Sequence, residues 1–153
     1  MKTPMHVRSR KGFSAIELLV VIAIIGIMAA IAIPWWLTYW PAATVRGAAR
    51  DLQGGLNQAK ILAITTRQNI CVQVLAGGYR FQQGGCGGAA WFGAGTDGTG
   101  LFRSPENVTF TSPASPIFTQ FGTASQTATL TVTGPSNRTL TVTILPSGSV
   151  TIP

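Results

Sequence analysis

The chain has 153 residues, enough for one domain with an appendage. Hydrophobic residues make up 46% and charged residues only 10%, which excludes a disordered, charge-dominated chain and points to a part that lives in lipid. The formal charge of +7 is a weak case for nucleic acid: four of the eleven basic residues lie in the first twelve positions, and without them seven basic residues face four acidic ones.

The first predicted element is a membrane helix. Leu18 to Leu37 is a run of about 20 residues without a charge, which at about 1.5 Å rise per residue matches a hydrocarbon core of roughly 30 Å. Lys2, Arg8, Arg10 and Lys11 precede it with no acid among them, so the positive-inside rule puts Met1 to Gly12 in the cytoplasm and the rest outside, a single pass. A cleaved secretory signal would end in a small-residue site after about 7 to 15 apolar residues. This run is longer and ends in Pro34-Trp35-Trp36, with Tyr39 and Trp40 close behind. Those rings are expected to form an aromatic belt at the outer interface; packing on their own domain is the alternative.

Glu17 is the only charged side chain of "GFSAIELLVVIAIIGIMAAIAIP". A carboxylate at bilayer depth costs roughly 2.5 to 3.5 kcal/mol, so it needs a partner or a place near the interface. Residues Arg10 to Pro34 resemble the N-terminus of type IV pilin and type II secretion pseudopilin precursors. The resemblance implies that a prepilin peptidase cuts between Gly12 and Phe13 and that Phe13 is then N-methylated. It also implies that Glu17 pairs with the free α-amine of Phe13 on a neighbouring subunit, an amine of reference pKa about 7.7 to 8.0 and so cationic at neutral pH. Gly26 and Pro34 bound the weakest part of the helix, because proline removes a backbone hydrogen bond and glycine lowers propensity. Similar proteins unwind there in filaments; a static kink is the other reading.

Beyond the span, Val45, Ala49, Leu52, Leu56, Ala59 and Ala63 recur at spacings of four and three, the stripe of a helix laid on a core. Pro41 fits its first turn, and Arg46, Arg50, Gln53, Asn57 and Lys60 fall on a neighbouring face expected to meet solvent. Gly54 and Gly55 each cost about 1 kcal/mol against alanine, so this helix relies on packing. After Arg67 the period becomes two. "NICVQVL", "YRFQ", "TATLTVT", "RTLTVTIL" and "SVTI", separated by "AGG", "GPSN" and "PSG", predict antiparallel hairpins. "GGCGGAAWFGAGTDGTG" contains a formal G-x-G-x-x-G at Gly93, Gly95 and Gly98 without a strand-to-helix context, and reads as a mobile surface loop. Cys71 and Cys86 both fall on the non-cytoplasmic side, where an oxidising compartment favours a disulfide; two buried thiols are the alternative.

"LNQAKILAITTRQNICVQV", "GGYRF", "IFTQFGTA" and "TLTVTILPSGSVTI", in that order, resemble the GspH and FimT family of minor pseudopilins and minor pilins. The expected fold is therefore α+β and pilin-like: a leader at 1–12, a transmembrane assembly helix at 13–41, and a periplasmic globular domain at 42–153. In that domain an amphipathic helix packs on a small antiparallel sheet. The resemblance implies a structural subunit of a type II secretion pseudopilus in the inner membrane, with other pilin-like subunits, the peptidase and membrane lipid as partners. A type IV minor pilin, acting in pilus assembly or DNA uptake, is the alternative.

DNA is possible but not favoured. Arg46, Arg50, Lys60, Arg67, Arg80, Arg103 and Arg138 are scattered along the chain, and "PSGSVTIP" has Ser149 where DNA-binding members carry arginine. No cofactor, metal or catalytic group is expected: the only histidine, His6, is in the leader, and Asp51, Asp97 and Glu106 form no recognisable pair.

Overall fold

The apolar run and the amphipathic stripe fall on one helix, α1 (Ala15–Thr66). The structure, a computed structural model, describes residues 13–153. The chain divides into two compact units, 1–38 and 39–153, each holding part of α1.

In the second unit the stripe Val45, Ala49, Leu52, Leu56, Ala59 and Ala63 is buried throughout, each residue at most 2% exposed, and Ala48 joins it. Burying one leucine side chain is worth roughly 1.5 to 3 kcal/mol, more than the cost of about 1 kcal/mol for either Gly54 or Gly55, so packing decides this part of the helix. The two glycines then separate. At Gly54 an added Cβ meets nothing within 4 Å, whereas at Gly55 it would lie 1.9 Å from the Tyr79 hydroxyl and 2.5 Å from the ring. That ring cannot swing away, being stacked on Phe102 at 5.0 Å between centroids and flanked by Phe81 and Phe110. Gly54→Ala is therefore expected to stabilise the domain by about 1 kcal/mol and Gly55→Ala to destabilise it by roughly 1 to 2 kcal/mol. Urea midpoints of the two variants check this, and equal shifts would refute it.

Two antiparallel sheets pack with the helix. β1 (Ile70–Leu75) and β2 (Gly78–Gln83) form a hairpin with Val72 opposite Phe81. β3 (Ala89–Ala90) and β4 (Leu101–Arg103) pair with β2 on its other side. In the second sheet β5 (Thr109–Thr111) pairs with β7 (Ala128–Thr133), and β6 (Ile117–Phe118) instead completes the first sheet against β1. β8 (Thr139–Ile144) and β9 (Val150–Thr151) follow β7 as successive neighbours. Along β7 the burial alternates as a half-buried strand should: Ala128, Leu130 and Val132 face the core while Thr129 is exposed.

Two expectations are corrected. Gln53 and Lys60 do not simply face solvent: Gln53 Nε2 donates to the Val150 carbonyl at 2.8 Å and Lys60 Nζ to the Gly148 carbonyl at 3.2 Å. The C-terminal hairpin lies over this side of the helix, so two long polar side chains satisfy its carbonyls. Its turn needs Gly148, whose φ of +76° is the left-handed region and whose Cβ would meet the Gly122 carbonyl oxygen at 1.9 Å.

The glycine-rich stretch is also pinned at several points rather than free. Trp91 N donates to the Phe81 carbonyl at 2.9 Å, and the indole packs on Phe81 and Phe102 at 5.8 and 6.2 Å. Asp97 Oδ1 accepts from Thr99 N, Thr99 Oγ1 and Leu101 N, and Oδ2 pairs with Arg103 at 3.0 Å. These bonds, with the arginine charge contributing least, hold the Asp97 carboxyl down at about 2. Cys86, in the same stretch, is joined to Cys71 of β1 with Cα atoms 5.1 Å apart.

Tyr79 is 7% exposed. Burial, with a smaller push from the Asp51 charge, raises its hydroxyl to about 12. A raised folded-state value means that the unfolded chain loses this proton first, so stability is complete below about pH 10 and falls as pH rises towards 12. The loss amounts to roughly 2 to 3 kcal/mol across that window. Urea midpoints at pH 9 and pH 11 should differ more for the wild type than for Tyr79→Phe, which removes the titrating group; equal differences would refute the assignment.

Candidate assembly site

In the first unit, sequence and structure leave an apolar rod with one acid near its start. Phe13 precedes α1 and is 76% exposed. Glu17 lies in the first turn, where a carboxylate is favoured by the helix dipole. Its amide and that of Leu18 both donate to the Ser14 carbonyl, at 3.0 and 3.1 Å, which closes that turn. Gly12, the expected cleavage residue, lies outside the described residues.

Among the described residues of this unit, nothing covers the apolar stretch. The most apolar 18-residue window of α1 is wholly unburied, and exposed side chains run from Ile16 through Ile22, Ile27 and Ile33 to Trp36. A helix that is apolar all round needs lipid or other helices around it. Trp35, Trp36, Tyr39 and Trp40 are each more than half exposed. Gly26 and Pro34 both sit inside the continuous helix, so the described chain shows no break there. Proline nevertheless leaves one backbone hydrogen bond unmade at that turn, and Gly26 has no atom within 4 Å of an added Cβ.

Among the described residues no three His, Cys, Asp or Glu side chains gather as a metal site. Of the basic residues, Lys60 and Arg103 are engaged as above, and Arg80 Nε donates to Gln73 Oε1 at 2.7 Å. The structure does bring together three arginines that sequence reasoning left scattered, Arg46, Arg50 and Arg138, around adjoining cavities beside α1. No local signal marks that grouping, because Arg138 reaches it only through the β7–β8 turn.

Comparison with known proteins gives these features a context. Residues 7–33 match the prokaryotic N-terminal methylation motif, which covers Phe13, Glu17 and Gly26. The minor pseudopilin EpsH from the type 2 secretion system of Vibrio cholerae is similar in fold, with 15% identity and a TM-score of 0.54 over 71% of this chain and 95% of that one. The type IV minor pilin FimU of Pseudomonas aeruginosa is similar at 17% identity and a TM-score of 0.50, over 71% of this chain and 87% of that one. At such identities these likenesses establish the pilin-like α+β fold alone. Residues 48–148 match the family described as type II transport protein GspH, a stretch that takes in the buried helix stripe from Ala48 to Ala63 and strands β1 to β8. With an apolar N-terminal helix carrying the methylation motif ahead of that domain, the chain is a membrane-anchored, pilin-like protein and belongs to the GspH family.

Proposed function

We propose that this chain is a minor pseudopilin of a type II secretion system, a structural subunit of the inner-membrane pseudopilus that helps move proteins across the outer membrane. The observation that carries the reading is the GspH match across 48–148, since the methylation motif serves pilins and pseudopilins alike. The similarity to EpsH, a minor pseudopilin, supports it.

The subunit inserts with residues 1–12 in the cytoplasm and the β-domain in the periplasm, in keeping with the basic leader. Prepilin peptidase cuts between Gly12 and Phe13, and Phe13 is methylated at its new amine. Glu17 then pairs with that amine on a neighbouring subunit, fixing register as the apolar rods pack together. Between Gly26 and Pro34 the helix loosens during assembly, and the Cys71–Cys86 bond braces the domain outside.

The test is the amount of exported enzyme in the medium of a strain lacking this chain, beside a complemented control. Loss restored by complementation is expected. Unchanged export with fewer surface pili would replace this reading with a type IV minor pilin, for which the similarity to FimU speaks.

A further inference from the structure

Arg138 lies far from Arg46 and Arg50 in sequence, yet the three border one groove. Arg46 and Arg138 line a cavity of about 220 Å³ with Val45 and Leu140. Arg46 and Arg50 line the adjoining one, about 270 Å³, with Leu140, Ile152 and Pro153. Gly134 makes the meeting possible: a Cβ there would lie 2.4 Å from Val45 Cγ2, so the turn that precedes Arg138 rests directly on α1. Its backbone is closed by Gly134 N donating to the Arg138 carbonyl at 2.9 Å.

All three arginines are exposed, and among the described residues no carboxylate lies in ion-pair range of any of them. Asp51, the acid next to Arg50, acts instead on Tyr79. The same compact unit carries Tyr39 and Trp40, 52% and 57% exposed. Tyr39 is seven residues before Arg46, hence on nearly the same helix face and about 10 Å along the axis. Helical side chains lean towards the N-terminus, which carries the Arg46 and Arg50 guanidinium groups back towards the level of those rings.

We propose that this groove binds the phosphate of an anionic phospholipid headgroup, holding the unassembled subunit's domain at the membrane surface. The proposal rests on the membrane-anchored reading above. Guanidinium groups suit phosphate through paired N–H donors, and Leu140 and Ile152 offer apolar surface to the glycerol and upper acyl chain. Three arginines in a cleft beside interfacial aromatics fit one headgroup better than a nucleic acid, which needs phosphate contacts along an extended track.

The test uses the full chain in detergent, with phosphatidylglycerol or phosphatidylcholine added and retained lipid read by native mass spectrometry. Each basic residue near an anionic surface is worth about fivefold in binding. The wild type should retain phosphatidylglycerol preferentially, and the Arg46→Gln, Arg50→Gln, Arg138→Gln triple variant should lose more than tenfold of that retention. Arg67→Gln, just past the end of α1 and roughly 30 Å from Arg46 along the helix axis, should change it less than twofold. Equal retention of the two lipids by the wild type would overturn the proposal, as would an unchanged triple variant or an equal loss in Arg67→Gln. So would a short DNA duplex that binds through the same three arginines despite saturating phosphatidylglycerol. Carbonate extraction of membranes separates the two layers of argument: a chain released by carbonate sinks the membrane reading, while an inserted chain without lipid preference sinks only the headgroup site.

Discussion

Glu17→Leu is expected to insert into the membrane as well as the wild type and to be lost from filaments. Leucine removes the only charge of the apolar run, so insertion becomes easier. On the function proposed above, the α-amine of Phe13 becomes available as a cation only after cleavage and then meets Glu17 of a neighbour, so assembly is where the substitution is expected to act. Removing one member of a buried pair costs roughly 3 to 5 kcal/mol through the charge left behind. At about 1.4 kcal/mol per factor of ten, incorporation should fall at least a hundredfold. Immunoblots of sheared filaments and of washed membranes read the two quantities separately. Normal filament incorporation with normal membrane levels would show that Glu17 is merely tolerated near the interface.

Removing the disulfide is expected to have the largest effect on the domain itself. The bond closes a span of 15 residues that contains all of β2, with Cys71 fully buried in β1 and Cys86 exposed in the glycine-rich stretch. In the chain-entropy account such a loop stabilises by roughly 3 kcal/mol. For a domain near 100 residues that corresponds to a fall in Tm of about 12 °C or more. Cys86→Ser is the cleaner variant: it leaves the buried Cys71 thiol, a small apolar group, in place. Reductant should lower the wild-type Tm to that of the variant and leave the variant unchanged. Identical melting of oxidised and reduced wild type would refute the stabilising role.

The glycine-rich stretch shows why composition misleads locally. Its glycines argue for freedom, yet Trp91 has a place against Phe81 and Phe102, and Asp97 collects three donors and a cation. One large ring and one carboxylate are enough to tie a stretch of small residues. Neither effect is visible in a window of glycine content.

What the sequence determined by itself is whatever a regular period or an extreme composition encodes. The apolar run of α1, its buried stripe from Val45 to Ala63, and the strands β1, β2, β7, β8 and β9 are all legible. Each repeats a burial pattern over enough residues to show its period, or follows a turn rich in glycine and proline. The N-terminal motif is legible for a different reason: a lone acid in an apolar run has few physical explanations. The tertiary structure alone decided the rest. Strands β3 to β6 are only two or three residues long, too short for any period, and exist because a neighbouring edge offers them hydrogen bonds. Gly55 is required by a ring from β2. Gln53 and Lys60 are claimed by the last hairpin, and Arg138 joins Arg46 and Arg50 through a turn that touches Val45. All of these depend on contacts between residues far apart in sequence, which no local pattern records, because the chain must close its loops before such neighbours exist.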